Sequence, residues 1–244
     1  MHRFYADPVL SDENNLILSP EDARHAFRVL RLRPEEEAEI IFRGERYLSR
    51  IAEISDRRVR LDPVSKLPST EPRLLVTLFQ GVPKGDKMDW IVQKNVEIGI
   101  FRIVPVLFSR CVVRLDRQDA ARKQERWQKI AREAGKQSGR CRIPEVCAPV
   151  SVSVLSEWFS SCERIAVPWE ECTDGSPLAF AKRYPSLSSL GIVIGPEGGI
   201  DPVEIRQMTQ AGCEPITLGK RILRTETAGM VSLSVFFGLY GEME

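Results

Sequence analysis

Two segments toward the C-terminal end of the chain limit its fold more than any other feature. The first reads Ile192-Val193-Ile194-Gly195-Pro196-Glu197-Gly198-Gly199-Ile200. The second reads Thr217-Leu218-Gly219-Lys220-Arg221-Ile222-Leu223-Arg224-Thr225-Glu226-Thr227-Ala228. Each opens on an apolar run short enough for a buried strand and closes in Gly-rich, charged loop chemistry. Two strand ends that both turn into Gly loops can form one pocket at the edge of a parallel sheet, and the function is expected there.

The preceding chain reads as α/β. Residues 1–68 form a small β-rich unit. Ser19-Pro20-Glu21-Asp22 starts a helix, with Ser as N-cap, Pro at the first position and acids in the first turn. Strand-like runs follow at 38–42, 47–54 and 57–61. Residues 66–72, polar with two prolines, read as the linker. A second unit over 73–244 then alternates strand and helix. Strands are expected at 74–81, 103–108, 165–168, 191–194 and 214–218, with helices at 86–99, 119–139, 201–212 and 225–240. Asp201-Pro202-Val203-Glu204 is a capping box. Such alternation implies a parallel sheet with helices on both faces.

Several chemistries are excluded by residue type and spacing. A P-loop does not fit Gly219-Lys220, because Glu214 stands five residues before that glycine and Arg221 occupies the Ser/Thr position. Gly195-Pro196-Glu197-Gly198-Gly199 is not a dinucleotide fingerprint, and Glu197 would repel a phosphate. The six cysteines contain no C-x-x-C pair and there are only two histidines, so no metal site is expected. No apolar run approaches the roughly 20 residues of a membrane span, and the first residues lack a signal-peptide core; a cytoplasmic protein with reduced thiols is expected. The net charge is +1, yet residues 109–142 carry eleven Lys/Arg against four Asp/Glu. A basic segment on a near-neutral chain points to a local anionic partner.

Together the two Gly-loop segments are similar to the C-terminal signature of the SPOUT methyltransferases. More narrowly they resemble the RsmE family, which methylates N3 of a uridine in bacterial 16S ribosomal RNA. Pro83-Lys84-Gly85-Asp86-Lys87-Met88-Asp89, Gln93-Lys94-Asn95-Val96-Glu97-Ile98-Gly99, Arg126-Trp127-Gln128-Lys129-Ile130-Ala131, Gln137-Ser138-Gly139-Arg140, His2-Arg3-Phe4-Tyr5 and Arg28-Val29-Leu30-Arg31 agree with it, in order along essentially the whole chain. Lys220, Ile200 and Arg24 depart from the usual pattern. The resemblance implies a PUA-like β-barrel followed by a SPOUT-type parallel sheet with a C-terminal trefoil knot. It also implies S-adenosylmethionine as methyl donor, an obligate homodimer, and 16S ribosomal RNA of the small subunit as partner.

By that likeness the donor is held by Ile194, Gly195, Pro196, Gly198, Leu218, Gly219, Ile222, Leu223, Thr225 and Thr227. Uracil N3–H is a weak acid, so its proton must be removed and the charge developing on the ring stabilised. The second unit contains no His; the base is Glu, Asp, Lys, Tyr or water. Glu197 and Glu226 are the candidates, with Arg224 as donor to the uracil oxygens. RNA phosphates are expected to meet Arg122, Arg126, Lys129 and Arg140 along the basic segment, and Arg3, Arg24, Arg28 and Arg31 in the first unit. Ribose 2′-O methylation and an inactive RNA-binding module remain open alternatives.

Overall fold

A computed structural model of the chain describes residues 1–243, which cluster into two compact units: Met1–Glu71 with Gly135–Ile143, and Pro72–Ala134 with the chain from Pro144 onward.

In the first unit β1 (His2–Tyr5), β2 (Leu16–Ile17), β3 (Glu37–Phe42), β4 (Glu45–Ile54) and β5 (Val59–Leu67) form one sheet in the order β1-β3-β4-β5-β2. The pairings are antiparallel except β1 with β3, which is parallel. A bridge between Ala6 and Leu18 joins the two ends of that order, so the sheet curls back on itself. Phe4, Leu16, Leu18, Ala26, Ile40, Phe42, Ile51 and Leu61 fill its interior. Helix α1 (Pro20–Arg24) begins where the sequence places it, Ser19 Oγ accepting from Asp22 N at 3.2 Å, and passes into a π-helical turn, His25–Val29. Strand β5 runs to Leu67, past the expected end at 61 and into the expected linker. It passes Pro63 because β2 pairs only with Leu61 and Arg60, which leaves the missing N–H of Pro63 on an unpaired edge beside a bulge.

The second unit is built on a parallel sheet. Its strands are β6 (Leu75–Gly81), β7 (Arg102–Leu107), β8 (Glu145–Val146), β9 (Val150–Ser151), β10 (Arg164–Pro168), β11 (Ser189–Ile194) and β12 (Glu214–Ile216). Their order is β12-β10-β11-β6-β7-β8, with β9 also on β7. The central β6 and β11 are apolar and buried almost throughout, as strands covered on both faces must be. One face carries α2 (Lys87–Ile98), α3 (Arg117–Ser138), α4 (Pro177–Arg183) and α6 (Thr225–Leu239), packed through Met88, Trp127, Phe180 and Phe236. The other carries α5 (Pro202–Gln210) and a 3₁₀ helix, Val152–Ser161, through Ile205, Met208, Leu155 and Phe159. The capping box of α5 is formed: Val203 N donates to Asp201 Oδ1 at 2.9 Å and Asp201 N to Glu204 Oε2 at 3.1 Å. The apolar residues of α6 are not all covered. Ala228, Gly229, Ser232, Leu233, Phe236 and Phe237 are buried, whereas Val235 and Leu239 are exposed.

Candidate functional site

Three adjacent parallel strands, β12, β10 and β11, end at the same edge of the sheet. Their following loops enclose a cavity of about 700 Å³, within the usual range for a small-molecule site. The Pro168–Thr173 stretch is the third wall. The sequence shows the strand before it but carries no Gly signature for the loop.

Of the residues expected to hold a cofactor, Ile194, Gly195, Pro196, Leu218, Gly219, Ile222, Leu223 and Thr225 line this cavity. Gly198 and Thr227 do not. Gly198 lies against the backbone of Arg110, and Thr227 N donates to Arg224 O in the first turn of α6. All three expected catalytic residues, Glu197, Arg224 and Glu226, are in the lining.

The two Gly loops have physical reasons for their composition. At Gly199 the backbone is left-handed, φ 72°, and its N–H closes a turn onto Pro196 O at 2.9 Å. Below this turn, a Cβ at Gly81 would lie 2.5 Å from Pro196 N, so the end of β6 approaches the loop as only glycine allows. Thr225 Oγ1 donates to Gly195 O at 2.6 Å and accepts from Gln80 Nε2 at 2.9 Å, tying α6 to the first loop.

The charged groups are arranged unevenly. Lys87 Nζ sits 2.9 Å from Glu197 Oε1 and 3.5 Å from Glu226 Oε2. Lys84 N also donates to Glu197, at 3.2 Å. Burial pushes the Glu197 carboxyl up, but the bond from Lys87 and the N–H of Lys84 outweigh it and hold the group below the usual carboxylate range. The hydrogen bond to Glu197 in turn raises Lys87, against a smaller opposing effect of burial. Lys87 went unassigned from sequence: it stands in a motif of the resemblance, but a lysine at a helix start carries no signal of its own. Lys220, Arg221 and Arg224 are exposed on the second loop and, among the described residues, form no ion pair.

The residues expected to meet RNA lie outside the cavity lining. In the first unit Arg24 and Arg31 are exposed, and Arg28 is exposed but bidentate to Asp56 at 2.6 Å. Arg3 and Arg46 both bind Glu39. Arg140 does not join an exposed patch: it is 4% exposed and holds Glu71 at 2.6 Å. On α3, Arg122 pairs with Asp119 and Arg126 with Asp86 and Asp89, leaving Lys129 and Arg132 exposed without a carboxylate partner among the described residues. Among the described residues no group of His, Cys, Asp and Glu is placed to hold a metal, and no helix is long and apolar enough to cross a membrane.

The parallel α/β unit with its loop-built cavity and the curled β unit before it are, by their match to family models, those of an RNA methyltransferase. Residues 70–237 match the model of an RNA methyltransferase domain and residues 18–64 that of an RNA methyltransferase PUA domain. The ribosomal RNA small subunit methyltransferase E of Bacillus subtilis is 42% identical over 65% of this chain and 64% of its own length. That of Buchnera aphidicola from Acyrthosiphon pisum is 30% identical over 99% and 95%. A crystal structure of the Neisseria gonorrhoeae methyltransferase E bound to S-adenosyl methionine superposes with a TM-score of 0.83, at 32% identity and 98% coverage of both chains. The chain belongs to the ribosomal RNA small subunit methyltransferase E family.

Proposed function

We propose that the chain transfers a methyl group from S-adenosylmethionine to N3 of a uridine in 16S ribosomal RNA of the small subunit. The observation that carries this reading is the cavity at the ends of β10, β11 and β12. It is lined by loop backbone, carboxylates, the paired Lys87 and the exposed cations Lys220, Arg221 and Arg224, and its loops carry no phosphate-binding signature. Its volume suits a nucleoside-sized ligand. The Trp169 indole N–H is buried there and, among the described residues, has no hydrogen-bond partner, which leaves a donor for a bound group.

In this reading Ile194, Gly195, Pro196, Leu218, Gly219, Ile222, Leu223 and Thr225 hold the donor, whose sulfonium supplies an electrophilic methyl. The protein must align uracil N3 in line with the breaking S–C bond, remove the N3 proton, and stabilise charge on O2 and O4. Of the lining carboxylates Glu170, Glu197 and Glu226, the last two share Lys87 and are assigned that task, and Arg224 is one of three exposed cations in the lining. Lys129 and Arg132 on one unit, and Arg24, Arg28 and Arg31 on the other, give each a surface for phosphates, which position RNA without selecting the base.

The same reading carries four further proposals. The chain acts as two domains, 1–68 and 73–244, although Gly135–Ile143 of the second span clusters with the first unit. The C-terminal segment is threaded as a trefoil knot, in keeping with the anchoring of α6 on the Gly195 loop. The chain works as a homodimer, for which the exposed Val235 and Leu239 of α6 and Trp90 of α2 offer apolar surface. It acts in the cytoplasm, where small subunits are made.

Incubating small subunits and naked 16S RNA with methyl-labelled cofactor, then analysing nucleosides, tests the function. Label in 3-methyluridine is the expected result; label on ribose, or none, overturns it.

A further inference from the structure

Glu197, Glu226 and Lys87 meet in the cavity wall, and the two acids differ in how fully they are bound. Glu197 is the more fully bound: Oε1 accepts from Lys87 Nζ at 2.9 Å and from Lys84 N at 3.2 Å, and Oε2 shares the same Lys84 N–H at 3.4 Å. These bonds join the start of α2 to the loop after β11. Glu226 Oε2 is buried and, among the described residues, meets no donor closer than Lys87 Nζ, which faces it at 3.5 Å as a long ion pair. Among the described residues it is the only carboxylate oxygen left so. A buried, unbonded carboxylate oxygen is costly to keep, and one in a ligand cavity points to a partner that arrives with the ligand.

We propose that Lys87 is a positioning residue that divides the work of the two acids. It commits Glu197 to holding the loops together, and it presents Glu226 as the group that takes the N3 proton of the acceptor base. This rests on the reading of the site as a base-N methyltransferase.

The chemistry balances. The N3–H proton passes to Glu226 Oε2, and the electron pair left on N3 forms the new N–CH₃ bond. The S–CH₃ bond breaks with its pair going to sulfur, giving a neutral thioether and a neutral methylated uracil. The carboxylic acid then returns its proton to water. Lys87 from α2 pairs with both Glu226 and Glu197, and Arg224, at the start of the helix that carries Glu226, lines the same cavity. Lys87 takes part in no bond that changes. Its ammonium offsets the repulsion between two carboxylates that share it.

The test compares Glu226→Gln, Glu197→Gln, Lys87→Met and Lys87→Arg, each with cofactor affinity measured by calorimetry and single-turnover methylation at saturating cofactor and RNA. Glu226→Gln should lower the rate by roughly the 10²-fold or more of a lost general base, with cofactor affinity within about threefold of wild type. Lys87→Met should lower the rate by about tenfold or more with the same retained affinity, and Lys87→Arg should recover most of it. Glu197→Gln should weaken cofactor binding and affect the saturated rate less than Glu226→Gln. A normal saturated rate for Lys87→Met, or a smaller loss for Glu226→Gln than for Glu197→Gln, overturns the proposal. Loss of the underlying reading is distinguishable, because wild-type protein would then place no label on uracil N3.

Discussion

Gln80, fully buried at the end of β6, donates through Nε2 to Thr225 Oγ1 at 2.9 Å, and Thr225 passes a hydrogen bond to Gly195 O at 2.6 Å. The hydroxyl thus couples a central strand, the first residue of α6 and the loop that lines the cavity. Valine fits the same volume but can neither accept nor donate. Thr225→Val is expected to destabilise the fold by about 1–3 kcal/mol, the cost of stranding buried polar partners, and to weaken cofactor binding. Thr225→Ser should retain most of both. Urea unfolding with calorimetric titration of cofactor measures this; an unchanged midpoint and affinity for Thr225→Val would show the bridge to be unimportant.

Gly81 sets how closely β6 approaches the same loop. A Cβ there would lie 2.5 Å from Pro196 N and 2.7 Å from Gly195 C, both backbone atoms that cannot rotate away. Gly81→Ala is expected to displace the Gly195–Pro196 peptide and reduce cofactor affinity by about tenfold or more, equivalent to ~1.4 kcal/mol. Titration calorimetry measures it. Affinity equal to wild type would mean that the loop shifts without affecting the cavity.

The legibility of these features in the sequence follows from what each depends on. The Gly195 and Gly219 loops announce themselves because left-handed turns and close approaches demand glycine. Strands β6, β7, β10 and β11 and helices α2, α5 and α6 emerge from period and caps, the Asp201 box most plainly. The Ala6–Leu18 bridge that closes the first sheet, and the parallel pairing of β1 with β3, join residues far apart in sequence and leave no periodic trace. Lys87 belongs to the same class: its meaning lies in standing between Glu197 and Glu226, more than a hundred residues away. Arg140 shows the reverse error. Charge counting places it on a surface, yet Glu71 draws it inside.

Arg140 and Glu71 therefore carry a stability prediction. Glu71 Oε1 accepts from Arg140 Nε at 3.0 Å and from Cys141 N at 2.7 Å, and Oε2 accepts from Arg140 Nη2 at 2.6 Å. Removing one partner of a buried pair costs more than removing both. With Glu71 22% exposed, Glu71→Ala should destabilise by about 3 kcal/mol, the lower end for a broken buried pair. The double variant Glu71→Ala/Arg140→Leu should be less destabilised than the sum of its singles. Guanidinium unfolding of the four proteins forms the cycle, and strict additivity would show that the two residues are energetically independent.

Glu39 governs how the first unit responds to acid. It is 7% exposed on β3 and accepts from both Arg3 and Arg46. Burial raises its carboxyl, but the two guanidinium bonds outweigh that and hold it below the usual range. The unfolded chain, titrating near the ordinary Glu value of about 4.3, then binds more protons than the folded one between the two values. Stability from this group is present above about pH 4.3 and is lost as pH falls through the folded value. Glu39→Gln should flatten that part of the profile while lowering stability at neutral pH, where the variant leaves two arginines without their carboxylate. Unfolding free energies from pH 3 to 7 for wild type and variant give the comparison. Parallel profiles across the acid range would show that Glu39 titrates alike in both states.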